Sequence, residues 1–219
     1  MKDDMLIGLA SSLNDPVTTT DELIPSGETS AYRSNPERLS EFALSRRDPA
    51  YVGRANAIKA LDADRAEGKY DDVVIEAMKL CGESAETLKT TLIGSAIFAE
   101  KPGDGSAREQ AASCQRVLGG SANICREFAT KRYRSNCINW GMLPFTIAPE
   151  TPFDYKCDDF IFIPGIRAAV ESGADKVNAK VISGGKVTDI ELLLPGFTAE
   201  EREIVLAGCL MNWYAKRKG

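Results

Sequence analysis

Apolar residues in this chain fall into short blocks, and the spacing inside each block indicates its element. Met5–Leu13 and Thr91–Ala99 (TLIGSAIFA) are continuous apolar runs of strand length, as are Leu143–Ile147 and Phe160–Ile163. Val177–Ile182 and Val187–Leu194 flank Ser183-Gly184-Gly185, the signature of a hairpin. Helical spacing takes over elsewhere. Asn35-Pro36 supplies an N-cap and a first-turn proline ahead of Leu39, Phe42 and Ala43, and Asp48-Pro49 repeats the device ahead of Tyr51, Ala55, Ile58 and Leu61. A helix from Ser106 carries a small-residue face of Ala107, Ala111, Cys114 and Val117 and is broken by Gly119-Gly120. Ile166–Ser172 is closed by Gly173, and a last helix starts at the Thr198/Glu201 capping box and runs through Ile204, Leu206, Leu210 and Trp213. Val73–Leu80 fits strand or helix. Asp62–Asp72 reads as a solvated charged segment.

Strands and helices are interleaved without regular alternation, repeats or linkers, so residues 1–219 form one α/β domain with a mixed sheet. The polar stretch Asn14–Ser34 is too long for an idle connection.

Composition narrows the chemistry. Lys plus Arg is 27 against 32 for Asp plus Glu, a formal net charge of −5, which argues against a general nucleic-acid binder. Histidine is absent, which excludes a Ser-His-Asp hydrolase and any histidine base or zinc ligand on this chain. No apolar run is long enough to span a membrane, and Met5–Ala10 is too short for a secretory core, so a cytoplasmic protein is expected. The six cysteines lack any CxxC spacing and read as buried free thiols.

The most informative segment is Gly103-Asp104-Gly105-Ser106-Ala107-Arg108-Glu109. A glycine-rich loop leaves a buried strand and enters a helix, whose free N–H groups and dipole favour an anion, with Arg108 adding a fixed positive charge. Ser106 and Glu109 also have the spacing of a capping box, which needs no ligand. Neither a P-loop nor a GxSxG elbow is present. Asp21 and Arg33 lie in the early polar loop, where each alone reads as a surface charge. Arg132 and Arg134 read as a solvated basic face, and Arg46 and Arg47 as cations at a helix C-terminus.

Two sets of segments together carry a resemblance. GDGSAREQAASCQRVLGG with ICREFATKRYRSNCINWGMLPFTI, and TTTDELIPSG with YRSNPERLSEFALSRRDPAY, resemble the carboxy-terminal, swivelling domain of aconitase-type hydro-lyases; TAEEREIVLAGCLMNWY is similar to that family's closing segment. The matches span about residues 12–52, 91–147 and 195–214. The resemblance implies a swivelling β/β/α fold with a mixed barrel-like sheet flanked by helices. It implies a [4Fe-4S] cluster on partner domains or a large subunit, none bound by this chain, and a small carboxylate substrate. By position it makes Ser106 the base that removes a proton next to a carboxylate, Arg108 and Arg33 the arginines that bind substrate carboxylates, and Asp21 a further active-site group. Ala107 stands where the family has a second serine, Gln110 and Glu22 where it has histidines; these departures bear on substrate choice. They also leave open a paralogue that binds anions or regulates without catalysis.

Overall fold

In the computed structural model, which describes residues 1–218, the apolar runs become the strands of one mixed sheet. The long strands are β1 (Asp4–Leu13), β3 (Thr91–Ala99), β5 (Gly120–Cys125), β6 (Leu143–Thr146), β7 (Phe160–Ile163), β8 (Lys176–Ser183) and β9 (Lys186–Leu193). Their order, β1-β3-β5-β6-β9-β8-β7, closes on itself into a ring of seven strands. β1, β3, β5 and β6 run parallel to their neighbours in one half. In the other half β7, β8 and β9 are antiparallel, and β7 returns antiparallel to β1. The ring closes at a seam where β6 and β9 share a single pair, Thr146 with Leu193. A two-stranded ribbon, β2 (Thr18–Thr19) with β4 (Pro102–Asp104), stands apart from the ring.

Alternation along the strands feeds two cores. Leu6, Ala10, Ile93 and Ile97 face a cluster completed by Tyr51, Ala55 and Ile58 of α3 (Tyr51–Ala66), Met78 of α4 (Asp72–Leu80) and Ala111 and Cys114 of α5 (Arg108–Val117). Met5, Ile7, Leu9, Phe98, Phe145, Ile161, Val181 and Leu192 face the second, closed by Val170 of α7 (Ile166–Ser172), Ile204 of α8 (Ala199–Ala207) and Trp213 of α9 (Leu210–Lys218). No helix among the described residues is long and apolar enough to cross a membrane.

Several local expectations change. The polar stretch 14–34 holds a short helix, α1 (Thr20–Leu23), whose N-cap Thr19 and Glu22 form a full capping box. Asn35 does cap α2 (Pro36–Ser40), accepting from the Arg38 N–H. Asp48 caps nothing: it accepts from Ser11 Oγ at 2.6 Å and pairs with Arg54, tying α3 to β1. Val73–Leu80 is helical, since Asp71 caps α4. The charged segment is not merely solvated, because α3 extends into it, Arg65 is buried, and Asp62 accepts from Arg65 Nε (2.7 Å) and the Ile93 N–H (2.9 Å). The last helix breaks at Gly208, which takes a left-handed φ of 96°, into α8 and α9. Arg134 belongs to no solvated face. From α6 (Lys131–Asn139) it reaches Glu201 at 2.9 Å, Pro195 O and the Phe197 ring, strapping the two halves across the seam.

Candidate active site

Three segments leave the carboxyl ends of parallel strands and meet. From β1 comes β2 and α1, from β3 comes β4 and the loop into α5, and from β5 comes α6. Ligands of open parallel sheets collect at this end of the strands. The early loop and the Ser106 loop are stitched directly. Thr18 pairs with Pro102 and Thr19 with Asp104, and Thr20 Oγ1 accepts the Ala107 N–H at 3.3 Å. α1 packs on β4 and α5, and α2 packs on α5.

Glycine is required at two positions of this loop. Gly105 has φ 129°, and a Cβ there would lie 2.2 Å from Thr20 Oγ1. Gly103 has φ 97°, and a Cβ there would fall 2.3–2.5 Å from Tyr133. Tyr133 in turn belongs to a closed buried circuit. Gln115 Nε2 donates to Tyr133 Oη (2.8 Å), Tyr133 Oη donates to Asn123 Oδ1 (3.2 Å), and Asn123 Nδ2 donates to Gln115 Oε1 (3.0 Å). The circuit joins α5, β5 and α6 beneath the loop, and burial holds the Tyr133 hydroxyl far above its ordinary pKa. The Thr130 hydroxyl completes the frame: it caps α6 through the Tyr133 N–H and donates to Gly103 O at 3.2 Å.

Ser106 sits exposed at the entrance of α5. The expected capping box does not form. The helix begins at Arg108 with Ala107 as its N-cap and no side-chain cap. Glu109 instead accepts from Asn136 Nδ2 and from Trp140 Nε1 (2.6 Å), clamping α5 to α6. The Ser106 hydroxyl is thereby left out of helix capping. Beside it opens a cleft of about 390 Å³ lined by Ser106, Arg108, Glu109, Lys131, Arg132, Ser135 and Asn136. Arg108 forms no ion pair with any described residue, and its buried Nε has no hydrogen-bond partner.

The other two candidates stand outside that lining. Asp21 accepts from the Ser26 N–H and pairs with Arg46, which also pairs with Glu28; Arg47 pairs with Asp15 and Glu22. The adjacent arginines therefore pin the early loop, where the sequence had suggested only a helix dipole. Arg33 is exposed on the turn before α2 and makes no ion pair among the described residues. Lys131, Arg132, Ser135 and Asn136 were not singled out as site residues. Their signal was two cations in a helical first turn with no acidic residue beside them.

No group of three His, Cys, Asp or Glu side chains among the described residues could hold a metal. Cys81, Cys114, Cys125 and Cys137 are buried, and burial pushes the Cys114 and Cys137 thiols up to about 12 and Cys125 further still. These residues do not fit an iron-sulfur cluster.

Residues 56–150 match the family model of the aconitase C-terminal domain, a span that takes in Ser106 and Arg108 and stops short of Asp21 and Arg33. The mitochondrial aconitate hydratase of Aspergillus fumigatus is 34% identical over 137 residues, covering 63% of this chain and 16% of the relative. The probable mitochondrial aconitate hydratase of Caenorhabditis elegans is 30% identical over 196 residues, covering 89% of this chain and 23% of the relative. The chain thus spans less than a quarter of the length of either. Among solved structures, 3-isopropylmalate dehydratase (LeuD) from Methanocaldococcus jannaschii shares the fold, with a TM-score of 0.58 and 22% identity over 100% of this chain and 96% of that one.

Proposed function

Because this chain is an aconitase-type C-terminal domain, homologous to the aconitate hydratases, we propose that it is the swivel domain or small subunit of a hydro-lyase acting on a hydroxy di- or tricarboxylic acid. The observation that carries the reading is Ser106. Its side chain is exposed, free of helix capping, and set beside an arginine that forms no ion pair among the described residues.

The chemistry asked of this chain is a proton transfer. A serine hydroxyl is a poor base in water, but the start of α5 and the Arg108 guanidinium both stabilise negative charge on its oxygen. Oγ of Ser106, as the alkoxide, takes the proton from the carbon next to a carboxylate. The C–H electrons become the new C=C bond, and the hydroxyl on the neighbouring carbon departs, leaving as water once protonated. Arg108 holds the carboxylate whose α-carbon is deprotonated, a task for which the guanidinium fork is shaped. Arg33, exposed on the turn before α2, binds a further carboxylate as the cleft is covered. Asp21 orders the early loop through Arg46. The [4Fe-4S] cluster characteristic of the family belongs to the covering partner, a large subunit or the preceding domains of the same polypeptide.

The test is turnover by the assembled holoenzyme. Ser106→Ala is expected to lower kcat by roughly 10²- to 10⁴-fold, the range for loss of a general base, with the fold intact by circular dichroism. Full activity in that variant overturns the assignment. A wild-type holoenzyme without turnover would instead favour the non-catalytic anion-binding reading, which Ala107 and the engagement of Glu22 in capping and with Arg47 support.

A further inference from the structure

The arginines of this chain divide sharply. Eleven of the fourteen are tied to a carboxylate or a backbone carbonyl, among them Arg116 on Gly120 O and Arg202 on Phe197 O. Among the described residues, Arg33, Arg108 and Arg132 alone make neither an ion pair nor a hydrogen bond. Two of these are the arginines already assigned to substrate. The third, Arg132, lines the same cleft as Ser106 and Arg108.

The position of Arg132 is unfavourable for α6 itself. It and Lys131 occupy the first turn, where the helix dipole repels cations and where no acidic residue compensates. Both are exposed, so neither is held there by packing. The cleft therefore gathers Arg108, Lys131 and Arg132 against one carboxylate, Glu109, whose oxygens are already occupied by Asn136 and Trp140. Ser135 and Asn136 add neutral polar groups. In a chain of net charge −5, this is a locally positive pocket fed by the starts of two helices.

We propose that Arg132, assisted by Lys131, forms a second carboxylate subsite inside the Ser106 cleft and selects a substrate with three carboxylates over one carrying an alkyl group in place of the third. The inference rests on the hydro-lyase reading for its substrate but not for its binding chemistry. Arg108 holds the carboxylate next to the reacting carbon, Arg33 takes another, and Arg132 takes the one directed along the first turn of α6.

Two measurements test it. In the assembled holoenzyme, Arg132→Gln is expected to raise KM for a tricarboxylic substrate by roughly 10- to 100-fold, the range for a lost charge-assisted bond, while kcat changes little. KM for the alkyl-substituted dicarboxylic counterpart should stay unchanged. Arg132→Lys, which keeps the charge and loses the fork, should recover only part of the affinity. The same Gln variant should melt at the same or a slightly higher temperature, because a cation has been removed from the wrong end of a helix. A lowered melting temperature, or equal KM changes for both substrates, overturns the subsite. The second measurement needs no turnover: the full chain is titrated with tricarballylate at millimolar concentration and followed by amide chemical shifts. Shifts at 106–109 and 131–136 that vanish at 131–136 in Arg132→Gln support the subsite, whereas wild-type shifts that leave 131–136 unmoved refute it. If Ser106→Ala retains turnover while this titration succeeds, the base assignment fails and the subsite stands.

Discussion

The turn between β8 and β9 and the loop between β4 and α5 both depend on glycines in the left-handed region, and they depend on them for different reasons. Gly184 (φ 54°) and Gly185 (φ 75°) join two strands in open space, with nothing within 4 Å of where a Cβ would sit. Gly103 and Gly105 carry the same backbone demand against the Tyr133 ring and the Thr20 hydroxyl. The hairpin turn is specified by its own residues. The loop before Ser106 is specified by groups 30 residues downstream and 85 upstream, roughly, which is the mark of a site held by the whole domain. The antiparallel half builds structure locally, and the loops of the parallel half converge on the cleft beside Ser106.

That contrast can be broken by substitution. Gly103→Ala should do most damage, since the methyl meets Tyr133 as well as an unfavourable φ; a loss of about 3 kcal/mol or more in urea unfolding is expected, with activity lost beyond what stability explains. Asn123→Ala opens the buried circuit and strands Gln115 and Tyr133, for about 2–3 kcal/mol by the same measurement. Gly184→Ala, where only the backbone objects, should cost about 1 kcal/mol and leave turnover untouched. Lys176→Ala removes an exposed pair with Glu191 across the hairpin and should shift stability by less than about 0.5 kcal/mol. If Gly184→Ala proved as harmful as Gly103→Ala, the distinction between local and long-range specification would fail.

Every ring strand except β5, together with the hairpin and the helices capped by Asn35 and Thr198, was legible because the signals lie within a few residues. The same local logic failed at Ser106 and Glu109. The spacing that caps α8 and α1 is present there too, but Asn136 and Trp140 capture the glutamate, and the Ala107 N–H goes to Thr20. No local pattern carries a partner that far along the chain. Asp48 and the Arg46–Arg47 pair were misjudged for the same reason, each being engaged by groups well removed in sequence. The placement of Ser106 and Arg108 where a strand passes into a helix was legible from the glycine-rich sequence, while the roles proposed for them come from the family resemblance. Lys131 and Arg132 were overlooked because charges in polar sequence look solvated until their setting against the helix dipole is weighed.

The single β6–β9 pair has a consequence for motion. A ring joined at one place by one residue pair and strapped by Arg134 has a built-in point of least resistance, while each side keeps its own hydrogen-bonded ladder. Amide protons at Thr146 and Leu193 should exchange with deuterium ahead of those in the middle of β3. Because α6 carries both that strap and four lining residues of the cleft, breathing at the join would be felt as a change in the width of the pocket mouth.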